Sequence, residues 1–407
     1  MDVKELFKGI AVVIDDEIRD SDSSIYNILN QLKTESIPYV EYDSLPDERI
    51  IENLHNVSFV LLDWKLNDSL SKDDISEGVK LPNELSQTNE ASNIEFLKKI
   101  QENCFCPIFI FTDENIDDII LKLKREKLYR NNSCNAILIK SKSEFKESGT
   151  LFSNLERWLK ETAPIYLLKE WDCSYQKSKS SLFIDFQKRS ADWVKILWQT
   201  YKGDNVNPCV ELESFISRSI ITQMMPLELD NSIFVNSSSD IDRTELVSCL
   251  ERQCYVQNNF LDSTMPETGD IFEISNDFYV NIRPSCDLIS RDGTPLDDID
   301  LYLLKAEKIK KLQSIKEYFN DKYGHFEEND TYYLVYPICS GYLLKLKFRE
   351  LRQDKWRNIK SSRNGRLLPP YITKLQMKYS AYLQRQGFPK IPNELFGLEA
   401  EPSEENI

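Results

Sequence analysis

Histidine is nearly missing from this chain of 407 residues, which has only His55 and His325. A serine or cysteine hydrolase would have to take its base from one of these two, and a histidine-rich metal site is excluded. His55 precedes an apolar run and reads as a surface residue, while His325 lies in the turn-like Tyr323-Gly324-His325-Phe326. Long apolar runs are missing too: none approaches the ~20 residues that span a bilayer. The N-terminus carries acids at Asp2 and Glu5 and does not read as a signal peptide. A cytoplasmic protein without membrane contact is therefore expected. The nine cysteines lack both the parity and the spacing of a disulfide framework or a zinc site, and only Cys104 and Cys106 are close neighbours. Positive charge is scarce, at 51 Lys and Arg against 67 Asp and Glu. The net charge of -16 argues against a protein coated in nucleic acid.

What is present is a globular composition, 41% hydrophobic and 11% aromatic, long enough for two or three domains. Four short stretches carry most of the information: Ile14-Asp15-Asp16-Glu17, Leu62-Asp63-Trp64-Lys65, Phe111-Thr112-Asp113 and Ile139-Lys140-Ser141. Each follows a short apolar run (9–14, 57–62, 107–111, 136–139), as at the C-terminal end of a buried strand. Helix-like segments alternate with these runs, which predicts a doubly wound parallel sheet of five strands. Sites in such sheets lie in the crevice at the carboxyl ends of the strands. There Asp15, Asp16, Asp63, Thr112 and Lys140 would converge. Three carboxylates can hold a hard divalent cation through oxygen.

In order and spacing these motifs resemble the receiver domain of two-component response regulators, over about residues 8 to 160. The resemblance implies that Asp15 and Asp16 hold Mg2+ and that the carbonyl of Lys65 is a backbone metal ligand. It implies that Asp63 accepts a phosphoryl group, that Thr112 contacts it and that Lys140 neutralises it. Three departures stand out against that pattern. Asp113 follows the Thr where a small residue is usual, Ser141 follows the Lys in place of Pro, and Ile137 stands where an aromatic residue reports the switch. An insertion at 67–91, rich in Ser, Asp, Glu and Asn, replaces the much shorter loop of ordinary receivers and is expected to be mobile.

The expected organisation is a receiver-like domain at 1–163, a helical middle at 164–262, an α+β output domain at 263–392 and an acidic disordered tail at 393–407. The middle shows helical spacing at Phe183, Phe186, Trp193, Ile196 and Leu197. From 265 the pattern turns to strands, including a hairpin across Ser340-Gly341, and a helix from Pro370 closes the fold. Cys286, in Ser285-Cys286-Asp287, reads as a buried structural cysteine. That segment, the late Leu367-Leu368-Pro369-Pro370-Tyr371-Ile372 and Tyr382-Leu383-Gln384-Arg385-Gln386-Gly387-Phe388-Pro389 are similar to C-terminal domains from bacterial antiphage defence loci. The resemblance implies a histidine-kinase-like or other ATPase as partner.

One further feature is basic. Residues 345–366 carry nine Lys and Arg against Glu350 and Asp354, in a chain of net charge -16. Lys345, Lys347 and Arg349 alternate along a strand and so share a face, and Arg352, Lys355 and Arg357 continue the run. A protein-partner surface or a solvated face is preferred over nucleic acid. The functional expectation is a signalling protein of a phosphorelay or defence system. The alternatives are a receiver-regulated effector enzyme such as a nuclease, for which Asp297, Asp298, Asp300 and Glu307 are present but Glu307-Lys308-Ile309 has the wrong spacing for a Glu-x-Lys motif, or a DNA-binding regulator through 345–366.

Overall fold

The computed structural model describes residues 3–392 and 395, apart from 55–56, 67–82, 131–133, 146–149, 236–241, 263, 291–293, 328, 388 and 390. His55, most of the expected insertion and the acidic tail thus lie outside the described residues. The chain forms two compact units, one from 1–193 with 214–238, the other from 194–213 with 239–407.

The first unit is built on β1 (Ile10–Ile14), β2 (Tyr39–Tyr42), β3 (Val57–Asp63), β4 (Ile108–Thr112) and β5 (Ile137–Ser141), all parallel, in the order β2-β1-β3-β4-β5. The apolar runs of β1, β3 and β4 are continuous because both faces are covered, whereas the edge strand β2, Tyr39-Val40-Glu41-Tyr42, is partly exposed. Alternate residues divide between the faces. Ala11, Val13, Phe59, Leu61, Phe109 and Phe111 pack with α1 (Val3–Leu6), α2 (Ser24–Thr34), α6 (Thr150–Glu161) and α7 (Ala163–Arg189). Val12, Ile14, Val60, Leu62, Ile108 and Ile110 pack with α3 (Glu48–Ile51), α4 (Asn83–Asn103) and α5 (Ile116–Arg125). Helix α4 starts ten residues earlier than the apolar spacing from Asn93 suggests, so residues 83–91 of the expected insertion are helical. Its first turns are polar, and hydrophobic periodicity could not report them.

Residues 164–262 are largely helical, as expected: after α7 come α8 (Trp193–Gly203), α9 (Pro208–Met224), α10 (Ser232–Val235) and α11 (Arg243–Cys254). These helices are shared between the two units rather than forming a third. Among the described residues no helix is long and apolar enough to cross a membrane.

The second unit holds a seven-stranded antiparallel sheet ordered β12-β13-β9-β8-β7-β14-β6. Its strands are β6 (Tyr255–Gln257), β7 (Asp270–Ile274), β8 (Asp277–Asn281), β9 (Asp300–Ile309), β12 (Tyr332–Ile338), β13 (Tyr342–Lys355) and β14 (Arg363–Leu367). The short β10 (Phe319–Asn320) and β11 (His325–Phe326) pair separately. Strand β13 has a register irregularity between Leu346 and Leu351 against β9. Such a break bends a strand and raises its twist, so the sheet curls. Gly365 is obligatory: a Cβ there would collide with Val256 O and the Tyr255 ring of the neighbouring strand. One face is covered by α14 (Tyr371–Gln384) through Ile372 and Leu375, the other by α13 (Trp356–Ile359) through Trp356 and Ile359.

Candidate functional site

The order β2-β1-β3 makes β1 and β3 the switch point of the parallel sheet, where the crevice at the carboxyl ends opens. Asp15 and Asp16 follow β1 and Asp63 ends β3. Their carboxylate oxygens lie within 4.8 Å of one another. Asp15 and Asp63 are buried. Each orders its own turn: Asp15 Oδ1 accepts the amide of Glu17 at 2.8 Å, and Asp63 Oδ1 accepts that of Lys65 at 3.1 Å. The loop beyond β3 is tied down by Asn93, itself buried, whose Nδ2 donates to Trp64 O at 2.6 Å. Thr112 is fully buried at the end of β4, one residue past Phe111, the register partner of Asp63. Its Oγ1 accepts the Glu114 amide at 3.0 Å, which leaves the hydroxyl proton available to an acceptor. Asp113 is exposed.

The lysine at this site is Lys142, not Lys140. Lys142 Nζ lies 2.8 Å from Asp63 Oδ2 and 3.0 Å from Asp15 Oδ2, and all three side chains are buried. Lys140 instead pairs with Glu144 at 3.0 Å. The apolar run ends at Ile139, but β5 continues to Ser141, so the first lysine after the run is still in the strand. There it lies two strands from Asp63, roughly 10 Å across the sheet at ~4.8 Å per strand. Lys142 opens a 3-10 turn to Phe145, whose ring packs on Phe111 at 4.4 Å between centroids. That anchor holds the lysine over the strand ends. Lys65 follows Asp63 at the rim, with its ammonium 3.4 Å from Glu114.

Burial pushes the Asp63 carboxyl up to about 7; Asp15 adds to this and Lys142 opposes it. Asp15 is raised as well, again by burial first, against the pull of Lys142. Burial alone would lower the Lys142 ammonium, but Asp63 and Asp15 outweigh it and hold it above the usual lysine range. The cluster is thus under-neutralised: Lys142 stays charged, while burial and Asp15 make ionisation of Asp63 harder than for an ordinary carboxyl. Three carboxylates and one ammonium leave a formal charge of -2, and the donors are all oxygen. That donor set fits one hard divalent cation such as Mg2+. The arrangement of fold and site is receiver-like.

No family model matches the chain, and no curated protein matches it either. Among solved structures, the receiver domain of NtrC4 from Aquifex aeolicus is similar to 38% of this chain and 98% of its own length, at 18% identity and a TM-score of 0.24.

In the second unit the basic run meets the acids considered for a nuclease. Lys347 pairs with Glu307 (3.3 Å) and Glu350 (3.4 Å), Arg357 with Asp298 (2.7 Å), and Lys360 with Asp297 (3.0 Å). Lys355 reaches Asp298 (3.7 Å) and Asp300 (3.9 Å), and Arg352 pairs with Asp354. Lys345 lies over the Tyr332 ring at 4.3 Å, while Arg349 is exposed. The excess positive charge seen in the linear run is thus largely compensated within the unit. Among the described residues, acids close enough to share an ion occur at Asp15, Asp16 and Asp63, not at 297–307. Cys286 is exposed rather than buried, with its thiol 3.5 Å from Asp287 Oδ1. His325 stacks on Tyr323 and lines a different cavity from Cys286, so the two form no dyad.

Proposed function

We propose that this chain is a signalling protein whose first unit accepts a phosphoryl group on Asp63 in a Mg2+-dependent site. The observation that carries this reading is the acidic trio at the switch point, two of its members buried, with Lys142 bridging Asp15 and Asp63. Asp15, Asp16 and the Lys65 carbonyl would hold the ion together with Asp63. When bound, the ion supplies charge neutralisation on the transferring oxygens. Asp63, ionised, attacks phosphorus; an Asp63 O–P bond forms as the donor's bond to phosphorus breaks and the donor leaves with that electron pair. Lys142 already touches Asp63 and neutralises charge on the phosphoryl oxygens. The Thr112 hydroxyl donates to one of them, and burial of the pocket strengthens both interactions.

A protein partner, a histidine-kinase-like or other ATPase, would supply the phosphoryl group, and the second unit would present the output surface. The defence-locus setting rests on the sequence resemblance alone. Counted from Lys142, the next residue is Ser143 and the third before is Ile139. The departures from the receiver pattern therefore persist, and they favour a second reading, a receiver-like scaffold that never takes phosphate. Intact mass after incubation with Mg2+ and a small phosphodonor separates the two. A phosphoryl increment lost in Asp63→Asn supports acceptance. Its absence, with no calorimetric binding of Mg2+ and beryllium fluoride, leaves the scaffold.

A further inference from the structure

The second unit holds a cavity of about 300 Å³, and the phosphoryl chemistry proposed for the first unit makes no use of it. Its wall includes all five residues 332–336 of β12. Successive side chains of a strand point to opposite faces. A cavity touched by five in a row therefore lies against the strand's edge. Strand β12 is the outermost of its sheet, and among the described residues it pairs with β13 alone. Such an edge presents backbone N–H and C=O groups that no neighbouring strand takes up.

Two kinds of side chain complete the wall. Phe326, Tyr332, Tyr336 and Tyr371 supply aromatic rings. Other rings brace them: Phe326 meets Phe319 at 5.8 Å and Tyr336 at 5.9 Å between centroids, and Tyr332 meets Tyr318 at 6.2 Å, all edge to face. The second kind is basic. Lys374 and Lys378 follow Tyr371 along α14 at steps of three and four, so all three share one stripe of the helix. His325 joins them. Its Nδ1 lies 3.0 Å from Phe326 O. A carbonyl only accepts, so Nδ1 carries a proton and Nε2 is left to meet a ligand. Among the described residues Glu327 is the one carboxylate at the wall, so two ammoniums outnumber it in a chain of net charge -16.

We propose that this cavity binds a nucleoside monophosphate, with the base among the aromatic rings and the phosphate on Lys374 and Lys378. A flat ring with a polar edge matches an aromatic wall that ends in open strand backbone. Its faces stack on the tyrosines, and its edge meets N–H and C=O groups of β12. The phosphate matches two ammoniums one helical turn apart and an imidazole nitrogen that donates once protonated. Glu327 repels the phosphate, which places that group on the α14 side. The carboxylate, an acceptor only, then serves the amino groups of the base or the ribose hydroxyls. The volume stands at the lower limit of ligand cavities, about 300–1,000 Å³. It suits one base with its sugar and phosphate and is too small for a dinucleotide or an added peptide strand.

Calorimetry on the full chain tests this, with AMP and GMP as probes and adenosine, guanosine and inorganic phosphate beside them. A monophosphate should bind at least about tenfold tighter than its own nucleoside, the worth of one charge-assisted hydrogen bond. It should also bind tighter than inorganic phosphate, which lacks the stacking. Lys374→Gln with Lys378→Gln should remove the margin over the nucleoside and leave nucleoside binding unchanged. Tyr336→Leu should weaken nucleotide and nucleoside alike by about tenfold, the loss of one contact between base and ring. Should that variant fail to fold, Tyr371→Leu serves instead. Asp63→Asn should leave nucleotide binding as it is, so failure at this cavity and failure at the carboxylates of the first unit are told apart. Binding of neither nucleotide at about 1 mM, a nucleoside held as tightly as its monophosphate, or nucleotide binding untouched by both the lysine and the tyrosine substitutions would each overturn the proposal.

Discussion

Among the described residues each unit has a buried ion cluster, and the two are charged in opposite senses. In the second unit Asp270 is fully buried and accepts Arg366 Nε at 2.7 Å, Arg363 NH1 at 3.4 Å and the Glu267 amide at 2.8 Å. The Arg363 guanidinium also donates to Asn258 Oδ1 at 2.8 Å, Met265 O at 2.9 Å and Asp262 O. One carboxylate thus meets two guanidiniums, and each nitrogen of Arg363 donates within the protein. In the first unit three carboxylates meet one ammonium. The first arrangement is closed and holds strands together; the second is short of positive charge and invites an ion. Buried acids are therefore informative only together with the count of cations that serve them.

Four effects sharpen this contrast. The largest effect is on chemistry: Asp63→Asn should abolish the phosphoryl mass increment and the binding of Mg2+ with beryllium fluoride, read by intact mass and calorimetry. Next is stability. Lys142→Met leaves Asp15 and Asp63 uncompensated, and Arg363→Met strips a cation from Asp270; each should cost about 3–5 kcal/mol in urea unfolding. Mg2+ at a hundred times its dissociation constant adds about 2.7 kcal/mol to a protein that binds it only when folded. Mg2+ should restore part of the Lys142→Met loss and none of the Arg363→Met loss. Equal rescue of both would erase the distinction.

The third effect is on pH dependence. The folded Asp63 carboxyl is raised from 3.8 to about 7, so between those values the folded state binds more protons than the unfolded one. Stability without metal should then fall as pH rises through that window. Lys142, raised above 10.5, contributes fully throughout it and does not reverse the sign. Urea midpoints in chelator at about pH 5 and about pH 7.5 should show this slope, and Asp63→Asn or saturating Mg2+ should flatten it. The smallest effect is at Lys140, paired at the surface with Glu144. Lys140→Ala should change stability by less than about 0.5 kcal/mol and leave beryllium fluoride binding intact. A loss there equal to that of Lys142→Met would restore the assignment made from the sequence.

How much was legible follows from the range of each signal. The runs 9–14, 57–62 and 107–111 were readable because a strand covered on both faces is continuously apolar, and the acids after them came with the strands. Lys142 was not readable, since the apolar run stops two residues before the strand does and a lysine stood at each position. The hairpin of β12 and β13 announced itself at Ser340-Gly341, where backbone φ values are +74 and +85. The partners of the basic run were hidden for a different reason. Asp297, Asp298 and Glu307 lie some fifty residues upstream, and a linear count of charge does not see a strand pairing. Cys286 failed for want of any burial signal in a single cysteine beside an acid.

The boundary expected at 163 passes through packed protein. Ile165 and Tyr166, in the first turn of α7, belong to the core of the first unit, and Tyr166 Oη accepts the Asp230 amide at 2.8 Å. Lys169 in the next turn grips Ser58 near the start of β3, the strand whose other end is Asp63. Helix α7 then continues unbroken to Arg189, 27 residues in all, or about 40 Å at 1.5 Å per residue. Where a loose tether would let any displacement of the sheet dissipate, a rooted shaft turns a tilt at its base into a proportionally larger sweep at its tip.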